Sequence, residues 1–309
     1  MNVETQALVP SRTGKMAAFA TIYMVWGSTY LAMRVAIETL PPFLMAGVRF
    51  LIAGGALFLW LCFRGEPLPA KKHWLFAAIA GLLMLGGGNG LVVWSEQFVS
   101  SGLAALVVGL TPVWFAALEW LRPGGRRPEW RTIFGILVGF SGVVLLVTAR
   151  ESSSHQSAVH GFWSVGALML ASISWAGGSL FAKYNPSHRS PWMNAAMQMI
   201  CGGAALLVLG LGTGESGRWH WDRVSAQSKM ALSYLIIFGS WIGFGVYVWL
   251  LKHSKPSHVA TYAYVNPVIA LFLGRLLLGE LINAQILWAT GFILAGVVIT
   301  TLPKMRWEH

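Results

Sequence analysis

Hydrophobic residues in this chain run in long unbroken stretches, separated at regular intervals by short charged segments. Stretches free of Asp, Glu, Lys and Arg extend from Met16 to Met33, Trp74 to Ser95, Gln97 to Leu118, Thr132 to Ala149, His160 to Ala182, Ser190 to Gly214, Met230 to Leu251, Pro256 to Gly274 and Leu281 to Pro303. A charge at the centre of a bilayer costs at least a few kcal/mol, so membrane spans are expected between the charges. A further stretch, Pro42 to Phe63, joins them once Arg49 is admitted inside it. A helix of about 20 apolar residues crosses the hydrocarbon core. The pattern therefore predicts an all-α polytopic membrane protein of ten transmembrane helices. The runs do not alternate with a period of two, which argues against a membrane β-barrel.

Composition agrees with that reading. The chain is 56% hydrophobic and 11% charged, less than half the roughly 25% charged residues of a soluble domain. Ten spans occupy its 309 residues and leave no room for a separate soluble catalytic domain. The net charge of +11 would suggest nucleic acid in a soluble protein, but its distribution follows the spans. Fifteen Lys and Arg fall on the side holding both termini, against Arg34, Arg150, Arg218, Arg223 and Lys229 on the other, with Arg49 and Arg275 inside spans. The positive-inside rule then makes both termini cytoplasmic, and no nucleic-acid partner is expected. The first span is longer than a signal-peptide core and precedes nine more, so it is expected to stay in the mature chain. Cys62 and Cys201 lie in apolar helices and read as packing residues, not as a disulfide or metal pair.

The chain also repeats. Offset by 149 residues, Trp26 meets Trp175, Leu31 meets Leu180, Pro42 meets Pro191, Ala46 meets Ala195, Gly54 meets Gly203, Ala56 meets Ala205 and Leu57 meets Leu206, while Arg34 meets Lys183. Beyond the third helix the offset becomes 155, pairing Gly88 with Gly243, Gly90 with Gly245, Trp94 with Trp249, Ala105 with Ala260 and Pro112 with Pro267. The shift of six matches the loops, since Arg64 to His73 holds 10 residues and Gly214 to Lys229 holds 16. Five helices per copy force the second copy to enter the membrane from the opposite face. The expected organisation is thus two inverted five-helix repeats, residues 1–150 and 151–309, joined by the Ser-rich stretch Glu151 to Ser157. Inverted repeats recur in secondary transporters, because two such halves give inward-open and outward-open states of similar energy.

The motifs Trp26-Gly-Ser-Thr-Tyr30, Pro41-Pro42, Gly47-Val-Arg49-Phe50, Tyr264-Val-Asn-Pro267 and Leu278-Gly-Glu280 resemble those of the drug/metabolite transporter superfamily, EamA family, in particular its bacterial inner-membrane exporters. The resemblance covers both halves. It implies a central cavity among helices 1, 3, 4, 6, 8 and 9, helices 5 and 10 at the periphery, and efflux of small metabolites, amino acids or drugs. In the first half, Arg122-Pro-Gly-Gly-Arg126 stands where the family often has a second Gly-Glu pair.

Candidate chemistry is sparse. Asp222 is the single aspartate, and the eight histidines lie at span ends, in loops or at the terminus, so an aspartyl dyad, a zinc helix or a membrane Ser-His pair cannot form. Gly14-Lys15 lacks the rest of a phosphate-binding loop. No enzyme activity, cofactor or metal site is expected; the partners are a small-molecule substrate and the lipid bilayer. Importer and uniporter readings stay open beside export, as do intramembrane-enzyme and scaffold readings outside transport. Trp26, Ser28, Tyr30, Asn89, Thr111, Trp175, Tyr262, Tyr264 and Asn266 are the expected substrate-cavity residues, pairing amphipathic rings with polar groups. Gly86 to Gly90 reads either as close helix packing or as a locally unwound segment presenting Asn89. Pro112 and Pro267 mark corresponding kinks. Arg49 either snorkels to the surface or closes an outer gate by pairing with Glu38, Glu96 or Glu280, with Arg34 and Arg275 in the same network.

Overall fold

The computed structural model describes residues 11–122, 130–148, 155–254, 256–279 and 282–301, which are almost entirely helical and contain no strand. In chain order the helices are α1 (Arg12–Ala36), α2 (Pro42–Phe63), α3 (Lys71–Ser95), α4 (Ser101–Leu121), α5 (Trp130–Thr148), α6 (His155–Tyr184), α7 (Pro191–Gly212), α8 (Ala226–His253), α9 (Tyr262–Leu278) and α10 (Ala284–Thr301). Among the described residues α1 to α4 and α6 to α8 contain apolar stretches long enough to cross a membrane, and α5, α9 and α10 carry shorter apolar stretches. The expected linker is partly helical, because α6 already begins at His155; residues 151–154 lie outside the described residues.

Helix starts follow local capping chemistry. Ser11, Ser100, Ser190 and Ser225 each accept a backbone N–H of the first turn of α1, α4, α7 and α8. Pro42 and Pro191 occupy the first position of α2 and α7, where a missing N–H costs nothing. Pro41 cannot cap α2 with a side chain. Glu215 does so instead, from the loop after α7: its two carboxylate oxygens accept Phe43 N at 3.2 Å and Leu44 N at 2.8 Å. A buried anion at a helix N-terminus satisfies orphan donors and meets the positive end of the helix dipole. Gly65 and Gly214, 149 residues apart, end α2 and α7 with φ near +79° and +77°, a left-handed turn that glycine adopts without steric cost.

Two antiparallel helix pairs carry internal symmetry. Leu44 lies against Gly210, Gly47 against Leu207 and Gly54 against Ile200, so α2 and α7 run in opposite directions. A methyl group at Gly54 would meet Ala196 O and Ile200 N; one at Gly203 would meet Gly47 O and Leu51 N. Those two sets of contacts are the same set displaced by 149 residues. In the second pair, α5 with α10, Gly142 approaches Ala289 O and Ile293 N, while Gly296 approaches Gly135 O and Gly139 N, a displacement of 154. Small residues let helix backbones approach this closely, which is how membrane helices gain packing energy where lipid supplies no hydrophobic drive.

A helix of wider winding interrupts α3 at Leu82–Asn89 and α8 at Leu235–Phe244. Adding 155 to the first range places it inside the second. Such π segments are frequent at functional sites. Around the periphery Leu59, Leu75, Phe162, Leu209, Phe272 and Trp288 are exposed, an apolar belt suited to lipid tails.

Candidate functional site

The interior of the bundle holds a cavity of about 70 Å³, room for roughly five to seven waters at 10–15 Å³ each. Its walls are Trp26, Thr29, Tyr30 and Met33 of α1, Arg49 and Phe50 of α2, Leu85, Gly88, Asn89 and Val92 of α3, Val108 of α4, Ala171 and Trp175 of α6, Gly239 and Phe244 of α8, and Tyr262 and Asn266 of α9. The six helices expected to form it all contribute. So does α2, which was not expected.

Aromatic rings define its shape. Trp26 and Trp175 meet edge to face, with centroids 5.5 Å apart at 85°, and Tyr262 stands against Trp26 at 5.1 Å and 89°. These are favourable quadrupole geometries. Each tryptophan needs a glycine opposite. Gly88 faces the Trp175 ring and Gly243 the Trp26 ring, the same contact made twice between the repeats. Behind the rings, Tyr247 is fully buried and takes Trp175 Nε1–H at 3.0 Å while sharing a 2.7 Å hydrogen bond with Ser179. Trp26 Nε1 donates to the Gly239 carbonyl at 3.3 Å. The indoles are therefore held by their polar edges, and both form part of the cavity wall.

Arg49 is the charged group of the wall, and it is 3% exposed. It does not snorkel. Its Nε donates to Ser240 Oγ at 2.7 Å, its guanidinium lies 4.6 Å from the Phe50 ring centre, and its Nη1 has no hydrogen-bond partner. Its described hydrogen-bond partner is Ser240; of the expected glutamates, buried Glu96 acts on Arg49 through charge without lining the cavity. The π segment of α8 makes this possible, since a methyl group at Gly239 would stand 2.9 Å from Arg49 Nη2.

The other expected gate residues are elsewhere. Arg34 donates to the backbone carbonyl of Glu96 at the end of α3, and its counterpart Lys183 donates to Leu251 O and Ser254 O at 2.8 Å each, at the end of α8. Leu251 is 155 residues beyond Glu96. Both cations cap helix C-termini, where exposed carbonyls and the helix dipole favour positive charge. Glu38, itself exposed, lines a separate hollow with Arg34 and Gln97. Arg275 is exposed on α9, and Glu280 lies outside the described residues.

Of the nine expected cavity residues, Trp26, Tyr30, Asn89, Trp175, Tyr262 and Asn266 line the cavity. Ser28 does not: its Oγ donates to Val25 O at 2.8 Å and lies 2.6 Å from Tyr234 Oη. Thr111 is buried outside the wall, with Oγ1 on Val108 O at 2.5 Å. Both hydroxyls satisfy the carbonyl three residues back, a local competitor that the sequence does not announce. The Tyr264 side chain lies outside the described residues. In the amide orientation that its neighbours favour, the Asn266 nitrogen donates to Tyr262 O at 3.2 Å and Tyr23 O at 3.3 Å.

The prolines differ from expectation. In α4 the helix breaks at Gly109 and Leu110, so Pro112 starts a new segment, Thr111–Leu121. Pro267 instead sits inside continuous α9, and the break comes earlier, at Ala260 and Thr261 after the single turn Pro256–Val259. Related sequences thus adopt different bends. Sequence reasoning also missed Tyr247, Ser240 and Glu215. For Ser240 there was a signal: it is the one hydroxyl residue in the apolar run Leu235 to Phe244.

Residues 14–148 and 162–302 each match the EamA-like transporter family. The chain belongs to the EamA-like transporter family. It is 37% identical over 292 residues to the uncharacterized inner membrane transporter YedA of Escherichia coli K12, covering 93% of this chain and 90% of that protein. It is 26% identical over 294 residues to the uncharacterized transporter YoaV of Bacillus subtilis, covering 94% and 98%. A solved crystal structure aligns with 97% of this chain and all of its own, with a TM-score of 0.67 at 20% identity, showing a shared fold. The EamA-type chain is therefore a membrane transporter and not an enzyme.

Proposed function

We propose that the EamA-type chain exports small amphipathic metabolites across a bacterial inner membrane by alternating access, its two inverted five-helix halves, residues 1–150 and 151–309, rocking about the central cavity. All ten helices cross the membrane in this reading, and both termini are cytoplasmic. The observation that carries it is the seat of the cavity: the repeat-related tryptophans Trp26 and Trp175 both line it, each packed on a repeat-related glycine of the other half, Gly243 and Gly88. A site on the symmetry element of two inverted halves faces either side equally when the halves exchange conformations. The unequal bends of α4 and α9 support the same reading, because equivalent helices in different shapes are what a one-sided state of such a protein requires.

Efflux from cells preloaded with labelled metabolites and drugs tests this. Cells making the chain are expected to lose at least one compound faster than cells without it, unchanged chemically, and Trp175→Ala should slow that loss about tenfold at equal membrane abundance. Efflux that is the same with and without the chain for every compound would overturn the reading.

A further inference from the structure

Arg49 combines three properties that a purely structural arginine does not need. It is buried, with only 3% of its surface exposed. One terminal nitrogen, Nη1, has no hydrogen-bond partner. Its guanidinium also forms part of the wall of the central cavity. An arginine serving stability alone would be expected to spend its donors on carbonyls or carboxylates, as Arg34 and Lys183 do. Ser240 takes Nε and fixes the plane of the group, which leaves Nη1 for another acceptor.

We infer that the ligand of the cavity carries a carboxylate bound end-on by the terminal nitrogens of Arg49, with its apolar body against Trp26, Trp175 and Tyr262. This deepens the transport reading and rests on the cavity being its ligand site. The unfilled donor of Arg49 calls for an acceptor, and the surroundings choose among anions. A carboxylate brings one negative charge and two oxygens to the guanidinium, whereas a phosphate monoester dianion brings a further charge into surroundings that are mainly aromatic and aliphatic, where unbalanced charge is expensive. Glu96, buried nearby, already acts on Arg49 through charge but does not line the cavity, so what a ligand meets at the wall is the donor edge of Arg49. Thr29 and Asn89 also line the wall, and Asn89 Oδ1 has no hydrogen-bond partner. That acceptor suits a hydroxyl or amino group beside the carboxylate. At about 70 Å³ the cavity holds a ligand of only a few heavy atoms as it stands, and a longer one requires the halves to part.

The test uses the full chain purified into lipid nanodiscs, with ligand affinity read from the rise of the thermal unfolding midpoint as concentration increases. The probes are a graded series of carboxylates, acetate, isobutyrate and 3-phenylpropionate, each beside its amide, with isobutylamine and isobutyl phosphate as the cationic and dianionic comparisons. At least one carboxylate should bind tenfold or more tightly than its amide, its amine and its phosphate. Arg49→Gln should abolish that preference, and Arg49→Lys should retain a weakened one, since it keeps the charge and loses the fork. Gly239→Ala, which crowds Nη2, should reduce carboxylate affinity while sparing the amide, and it serves if Arg49→Gln does not fold. Carboxylates binding no better than their amides, a preference that survives Arg49→Gln or Gly239→Ala, tighter phosphate binding, or no carboxylate binding at all would each overturn the inference. The efflux defect of Trp175→Ala stands or falls independently, so failure here does not carry failure there.

Discussion

Alanine at Gly203 asks how tightly α2 and α7 are locked together. The added methyl group would stand 2.9 Å from Leu51 N and 3.0 Å from Gly47 O, both backbone atoms of the facing helix. At Gly54 it would meet Met199 Cβ at 2.7 Å, Ala196 O at 2.9 Å and Ile200 N at 3.0 Å. Neither contact can be relieved by turning a side chain, so the helices must separate by about half an ångström. Overpacking of this kind costs about 1–3 kcal/mol, against a gain of up to about 1 kcal/mol from replacing glycine inside a helix. Gly55, one residue away with open space where its methyl would go, isolates that gain. The two clashing variants are therefore expected to lie about 1–3 kcal/mol below Gly55→Ala, because the helix gain is common to all three and cancels. At about 2 °C per kcal/mol for a chain of this size, the gap is roughly 2–6 °C in the midpoint of thermal unfolding, read as the monodisperse fraction surviving heating in detergent. Because the contacts are copies, Gly54→Ala and Gly203→Ala should fall by similar amounts. The double variant should lose less than the sum, since one separation of the helices relieves both clashes. Gly203→Ala melting as high as Gly55→Ala would refute the reasoning, and strictly additive losses would refute the shared separation.

Glu215→Gln keeps the shape of the cap on α2 but removes its charge; with two charge-assisted bonds to Phe43 N and Leu44 N affected, it is expected to cost about 1–2 kcal/mol, seen as a lower unfolding midpoint, and an unchanged midpoint would show that the charge contributes nothing. The proposed orientation is checked with single cysteines at Ser11 and Ser152, in a background lacking Cys62 and Cys201. An impermeant thiol reagent applied to intact cells should label Ser152→Cys and spare Ser11→Cys, and the reverse pattern would invert the topology and remove the case for export.

The chain of apolar runs was enough to read an all-helical membrane protein, because a bilayer permits few charges and requires every backbone group to be paired within its own helix. The offsets of 149 and 155 residues were enough to foresee that Trp26 and Trp175 would act as counterparts, and Arg34 and Lys183 likewise, since equivalent residues in duplicated folds take equivalent places. What those places do was a matter of distance. Arg34 and Lys183 reached helix ends 62 and 68 residues away, and neither the charge nor the spacing of a cation tells whether a carbonyl, a carboxylate or water receives it. Arg49 looked equally able to reach the membrane surface; only the packing of α8 against α2 put Ser240 at its Nε and closed off lipid. Ser28 and Thr111 belonged to the right helices but satisfied their own backbones first, a choice set by rotamers of a single turn. The helix start at Pro41 and Pro42 lacked a local cap, and the missing partner came from Glu215, 171 and 172 residues further along the chain. Periodicity and charge act locally and survive in one dimension. Capping in trans, cavity walls and the unequal bends of α4 and α9 depend on which surfaces meet, and that is decided when the helices pack.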